Sequence, residues 1–349
     1  MSLRDSVLEA AKRYLRFTRT SGNDNLGGPC PFHKRGQESN PSFYINLSNG
    51  LYFCHTCGES GSFPKFLRLM GESAAKIDLI LELSKTELSV RPKRAFDFHG
   101  RHYLKESLLG VFDYCPTDLV KDGFDEKLLE QLDVGFDRQE MRITFPIRDL
   151  YGNLIGISGR TVTNAYPRYK VYKSHDLMRF SSGDFEDNER YKAYDIKNHE
   201  FLWNMHNVFP SLFYGQLDTL IIVEGYKACI WMLQNGFTNT VALQGSRMSS
   251  AQEETICQFD GNVFLLLDNN SAGKKGAADT GKRLVCRGQK VYVCAYPDYV
   301  EDTAQPDNLN KDELTAILDT AKTFVKWRKT CPEIPRSVGS RWDSKFTDT

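Results

Sequence analysis

Two kinds of hydrophobic spacing divide the chain. Pro41-Ser42-Phe43-Tyr44-Ile45-Asn46-Leu47 alternates, as does Leu51-Tyr52-Phe53, with Ser48-Asn49-Gly50 between them. A period of two with turn-forming residues in the gap predicts a β-hairpin. The same period returns from Arg142 to Asp149 and from Leu154 to Arg160, on either side of Tyr151-Gly152-Asn153. From Leu220 onward short apolar runs alternate with helical spacing. Residues 220 to 223, 240 to 243, 263 to 267 and 291 to 295 read as strands, and 226 to 235 and 277 to 287 as helices. Ser250-Ala251-Gln252-Glu253 opens another helix with a capping-box pattern. Such repetition calls for a mainly parallel sheet with its ligand site outside the carboxyl ends of the strands. The expected fold class is therefore multidomain, α+β in front and α/β behind.

The remaining segments are less patterned. The opening MSLRDSVLEAAKRYLRFTR reads as a charged amphipathic helix, and residues 73 to 95 as a helix running into a basic linker with Pro92. A front module on that linker is expected to swing. A helix is expected from 311 to about 328, then a disordered polar tail. The boundaries implied are 1–72, a linker at 73–95, then 96–215, 216–310 and 311–349.

Composition narrows the class. The 349 residues are 40% hydrophobic and 26% charged, which is globular. The longest apolar runs, Leu220 to Val223 and Val263 to Leu267, fall far short of the ~20 residues a membrane span needs. No secretion signal is legible, so a cytoplasmic chain that does not enter membranes is expected. Lys+Arg and Asp+Glu are equal at 45 each, which excludes a wholly basic coat but not a local basic track. One such track lies between Glu140 and Phe180, with seven Lys+Arg against three Asp+Glu.

Nine cysteines without an export signal point to metal binding or burial rather than disulfides. Cys30 and His33 form a C-x2-H pair, and Cys54 and Cys57 a C-x2-C pair, twenty residues apart. Two ligands three positions apart fit one tight turn, and two such turns complete a closed tetrahedral Zn2+ site. His55 lies inside the second turn but is not needed for the set. With the first hairpin between the turns, the arrangement is a zinc ribbon in which the metal holds the fold. Lys34, Arg35, Lys65 and Arg68 with Phe32, Tyr44, Tyr52 and Phe53 could contact single-stranded DNA by charge and stacking, or form a solvated face over a small core.

CPFH…FCHTCGESGSFPKFL resembles the zinc-binding domain of bacterial and phage DnaG-type DNA primases. R-x-x-F-P-I-x-D…G-x-x-I-G-x-x-G-R, beginning at Arg142, resembles the N-terminal subdomain of the primase polymerase core. The resemblance implies that the ribbon recognises template DNA. It also implies that Arg142, Arg160, Arg168, Lys170 and Lys197 meet template or nucleotide phosphates.

Acids follow the strands of the third module: Glu224 after the first and Asp268 after the third, with Asp307 in the loop after the last. Carboxylates at several strand ends can converge on a hard cation, Mg2+ or Mn2+. Glu224-Gly225-Tyr226 and Asp268-Asn269-Asn270-Ser271-Ala272-Gly273-Lys274 resemble the two Toprim signatures. Gly225 and Gly273 are read as tight turns exposing N–H groups to phosphate. The likeness makes Glu224 and Asp268 catalytic, and Asp268, Asn270 and Asp307 the cation ligands. Ala228, Asn270 and Gln305 stand where it would put three further acids, with Asp302 a candidate substitute. The activity implied is synthesis of short RNA primers on single-stranded DNA from ribonucleoside triphosphates, with a replicative helicase as a separate chain. The alternatives are a DNA-binding relative without synthesis and a Toprim nuclease, for which the ribbon and basic hairpin have no obvious use.

Overall fold

The computed structural model describes residues 2–16, 19–21, 24–33, 36–38, 41–84, 103–178, 196 and 198–330. Lys34, Arg35, Lys197, the stretch 85–102 and the tail from residue 331 lie outside them. No helix among the described residues is long and apolar enough to cross a membrane.

The ribbon is a five-stranded antiparallel sheet in sequence order: β1 (Arg19–Ser21), β2 (Asn25–Gly28), β3 (Phe43–Asn46), β4 (Tyr52–Cys54) and β5 (Ser60–Gly61). The expected hairpin is its β3–β4 pair, with Phe43 opposite Cys54. Phe43, Tyr52 and Phe66 pack ring against ring beneath it, and the helix Leu3–Tyr14 adds Val7, Ala10 and Ala11 to the same core.

The expected linker begins as a helix, and its residues 85–95 lie outside the described ones. Residues 74 to 84 form a helix whose Asp78 accepts the backbone N–H groups of Glu106 and Ser107, at 2.6 and 3.1 Å. From the ribbon's own helix, Phe63–Leu69, Arg68 reaches Asp133 at 2.8 Å and Glu106 at 3.2 Å. Buried Arg148 grips the same two acids, Glu106 with both Nη atoms and Asp133 at 2.8 Å. On another side the Tyr214 hydroxyl donates to the Leu51 carbonyl at 3.0 Å. Shared ion pairs and hydrogen bonds thus dock the ribbon, which was expected to swing, on the rest of the molecule.

The second sheet runs β6 (Gly135–Asp137), β7 (Arg142–Arg148), β8 (Leu154–Thr161) and β9 (Tyr169–Val171), all antiparallel. It shares a core with the third module. Phe145 stacks on Tyr226 at 4.4 Å between ring centroids, and the Trp203 indole donates to the Pro146 carbonyl at 2.8 Å.

In the third module the strands are β10 (Thr219–Val223), β11 (Thr240–Ala242), β12 (Asn262–Leu265), β13 (Lys290–Val293) and β14 (Lys322–Thr323). Their order in the sheet is β11-β10-β12-β13-β14. All pairs are parallel except β13–β14. The chain winds outward from β10 to β11 and then returns to β12 on the other side of β10. The carboxyl ends of β10 and β12 are thus a topological switch point, where open α/β sheets form their ligand crevice.

Two boundaries move. The segment from 311 does not stand apart: it is a helix (Lys311–Asp319), the edge strand β14, and a second helix (Phe324–Thr330) whose Phe324 and Trp327 close the core. A two-residue strand is too short for any periodicity to reveal. The helix after β12 begins at Ser271, six residues before the expected start at 277, because Gly273 and Gly276 are not turn formers. A Cβ on Gly273 would lie 2.1 Å from the Asp268 carbonyl, and one on Gly276 2.1 Å from that of Ser246. Both glycines permit close approach of the helix to the loops below it.

Candidate functional site

The four ribbon ligands converge. Their ligand atoms all lie within 4.8 Å of one another, and no other such cluster of three or more His, Cys, Asp and Glu occurs among the described residues. Cys30 Sγ is 3.8 Å from Cys57 Sγ, and Cys54 Sγ is 3.8 Å from His33 Nδ1. Tetrahedral zinc with Zn–S bonds of about 2.3 Å separates its sulfurs by about 3.8 Å, so the donor set fits the ion. The turns are shaped to hold thiolates, with the Phe32 and Cys57 backbone N–H groups facing Cys30 Sγ and Cys54 Sγ at 3.4 and 3.5 Å.

Glu38 completes the site, and the sequence reading missed it. Its Oε1 lies 2.5 Å from His33 Nε2, and its Oε2 accepts from Cys30 N at 3.0 Å and Ser42 Oγ at 2.6 Å. A carboxylate on the far nitrogen fixes the histidine's orientation and tautomer, leaving Nδ1 for the metal. Nothing in the spacing marks Glu38, since its role comes from the path of the loop. His55 stands outside the ligand cluster and packs edge-on to Phe53 and Tyr44.

The acidic site forms at the switch point. Glu224 follows β10 directly, and Asp268 lies three residues past β12. Burial, with the Asp268 charge adding to it, pushes Glu224 up to about 7. Asp268 is pushed up to about 6 by burial, with the Asp307 charge adding to the effect and a hydrogen bond from Gln305 opposing it. Mutual repulsion ties the three acids into one electrostatic unit. Two of their oxygens, Glu224 Oε2 and Asp307 Oδ1, are buried with no hydrogen-bond partner among the described residues. Orphaned anionic oxygens beside raised carboxylates suit a divalent cation, which would relieve both costs.

Several neighbours were not expected there. Lys227 Nζ lies 3.4 Å from Asp307 Oδ2 and 3.2 Å from Asp122 Oδ2. Gln305 Nε2 donates to Asp268 Oδ2 at 2.7 Å. The Tyr296 hydroxyl is buried without a partner among the described residues, and its pKa is raised by burial and then by Asp268, Cys294, Asp307 and Glu224. Asn270, expected as a cation ligand, has its side-chain oxygen on Gly273 N at 2.9 Å, where it caps the helix Ser271–Cys286. Asp302, the candidate substitute acid, is 93% exposed and 3.6 Å from Lys274.

The basic residues separate into two groups. Arg142 is buried; its Nη1 donates to the carbonyls of Gly159, Pro167 and Arg168 and its Nε to Glu140. Arg142, expected on phosphate, thus pins β7 to the chain beside it. Lys170 is held by Glu140 at 2.6 Å and Asp176 at 3.0 Å, and is likewise engaged. Arg168 is exposed, and Arg160 is half-buried with an unpartnered Nε among the described residues. Both guanidiniums oppose the rise that burial gives the Tyr169 hydroxyl, a rise to which Asp307 adds, so this edge of the second sheet faces the acidic site.

Comparison with known proteins gives two family matches, a CHC2 zinc finger over residues 3–91 and a Toprim-like domain over residues 221–305. A DNA primase of Staphylococcus aureus is 20% identical over 380 residues, covering 92% of this chain and 59% of that protein. A DNA primase of Deinococcus radiodurans is 28% identical over 75% of this chain and 50% of its own length. The chain thus spans between half and three-fifths of these relatives. The crystal structure of the Aquifex aeolicus primase zinc-binding and RNA polymerase domains superposes with a TM-score of 0.54 at 21% identity, covering 93% of this chain and 86% of that one.

Proposed function

We propose that this chain, a relative of the DnaG-type DNA primases with a CHC2 zinc ribbon and a Toprim-like domain, synthesises short RNA primers on single-stranded DNA. The observation that carries the reading is the pair Glu224 and Asp268. They lie beyond the ends of the adjacent strands β10 and β12, where the winding reverses, and burial raises both.

Primer extension joins the 3′-hydroxyl of one ribonucleotide to the α-phosphate of the next triphosphate, and pyrophosphate leaves. Asp268 and Asp307 would hold Mg2+ or Mn2+, which when bound acidifies the hydroxyl and neutralises charge on the phosphates. Glu224 would take the hydroxyl proton at its unpartnered Oε2. Asn270 serves by capping the helix behind Asp268. Arg160 and Arg168 are the side chains available to phosphate, for which the guanidinium fork is suited, and Lys197 belongs to the same proposal. Template recognition falls to the ribbon.

The test is primer synthesis on single-stranded DNA of varied sequence with labelled ribonucleoside triphosphates and Mg2+ or Mn2+. Glu224→Gln and Asp268→Asn should each lower the rate by about 10²-fold or more, as loss of a group acting on the transition state does. Product that persists in both variants would refute the assignment. A second reading, a DNA-binding relative without synthesis, is favoured by Ala228, Asn270 and Gln305. It predicts retained DNA affinity with no product on any template.

A further inference from the structure

The bonding of Asp268 and Asp307 is asymmetric in the same way. Each has one carboxylate oxygen already facing a donor from the protein: Gln305 Nε2 on Asp268 Oδ2 at 2.7 Å, and Lys227 Nζ near Asp307 Oδ2 at 3.4 Å. On Asp307 the other oxygen, Oδ1, is buried and has no hydrogen-bond partner among the described residues, in a side chain only 8% exposed. A carboxylate that bridges two cations gives one oxygen to each. Here the second oxygen of each acid faces nitrogen instead.

We propose that Lys227 and Gln305 stand in for a second cation, so that the site takes one divalent ion through the remaining oxygens of Asp268 and Asp307. The charge agrees with this. Asp268 and Asp307 ionised carry two negative charges, which a single divalent cation neutralises, and the Lys227 ammonium stands between Asp307 and Asp122. Lys227 is held in position independently of the acids it serves, by Asp122 at 3.2 Å and the Phe124 ring at 5.3 Å. Asp122 and Phe124 belong to the segment preceding β6, so packing of that segment on the helix Tyr226–Gln234 delivers the ammonium to Asp307.

The inference deepens the reading of these acids as the cation site for nucleotidyl transfer, and its test does not depend on catalysis. The zinc-loaded full chain is titrated with Mn2+, and bound and free ions are counted by electron paramagnetic resonance. The wild type should bind one Mn2+ with the spectrum of a magnetically isolated ion. Lys227→Met or Gln305→Asp should admit a second, dipole-coupled ion. Two coupled ions in the wild type, or none, would overturn the proposal whether or not the variants fold. One ion in both folded variants would overturn the stand-in role. Gln305→Asp leaves the Lys227–Asp122 pair intact and carries the variant test if Lys227→Met does not fold. A wild type that binds one Mn2+ yet makes no primer would refute the polymerase reading and leave this inference standing.

Discussion

At the residue scale, burial decides what a charged side chain can do. Arg142 and Arg168 carry the same group, but one donates to three carbonyls inside the protein while the other is exposed. Arg142→Met should therefore destabilise the fold by roughly 2–4 kcal/mol, the cost of leaving the carbonyls it binds without their donor, read in a denaturant melt. Arg168→Ala should leave the melt unchanged and weaken single-stranded DNA binding, lowering its salt slope by about 0.7. The raised acids give a second prediction. Glu224 and Asp268 are pushed up to about 7 and about 6, so between their unfolded values and these the folded chain holds more protons than the unfolded one. Without a divalent cation, the part of the stability that these two acids control should fall as pH rises from about 4 to about 7. Buried Asp149, pushed up to about 6, acts in the same direction and buried His206, held below its ordinary value by burial, in the opposite one, so the reading is the difference in slope between the wild type and Glu224→Gln with Asp268→Asn. Adding Mn2+ at pH 8 should restore the melting temperature of the wild type but not of the double variant.

At the element scale, the ribbon is held by metal inside and by ion pairs outside. Removal of zinc by a chelator should unfold the β3–β4 region, because the small core beneath it depends on ligands brought together from two turns. Loss of circular dichroism on chelation, reversed by Zn2+, checks this. Glu106 receives both Arg148 and Arg68, and Glu106→Gln leaves two guanidiniums beside a single acid, Asp133. Breaking such a buried pair costs about 3–5 kcal/mol. The melting temperature should drop accordingly, and small-angle scattering should show the ribbon parting from the second sheet. An unchanged scattering profile would mean that Tyr214 and the apolar contacts hold it alone.

For the whole molecule, the three sheets act through their shared borders. The second sheet brings Arg160 and Tyr169 to the acidic site, and the segment before it brings Asp122 and with it Lys227. Local patterning made much of this legible. The alternation at 41 to 53 and 142 to 160 encodes the hairpins, because side chains in a strand must face core and solvent in turn. The apolar runs after Leu220 encode the parallel sheet, because strands buried on both faces have no polar side. The Cys and His spacing encodes the metal site, because two residues between ligands fit one turn. Acids just past the strand ends were visible for the same local reason. Glu38, Lys227, Gln305 and Tyr296 were not visible as members of these sites, and neither was the burial of Arg142. Each depends on which distant segment packs beside it, and sequence periodicity reports only the face a residue turns toward. The docking of the ribbon through Arg68, Glu106, Asp133 and Arg148 is of the same kind, since four charges spread over eighty residues become a network only in the folded chain. The sequence by itself determined the two hairpins, the parallel strands, the zinc ligands and the acids. Tertiary structure decided their partners, because partnership between charges is set by distance and burial, which arise only on packing.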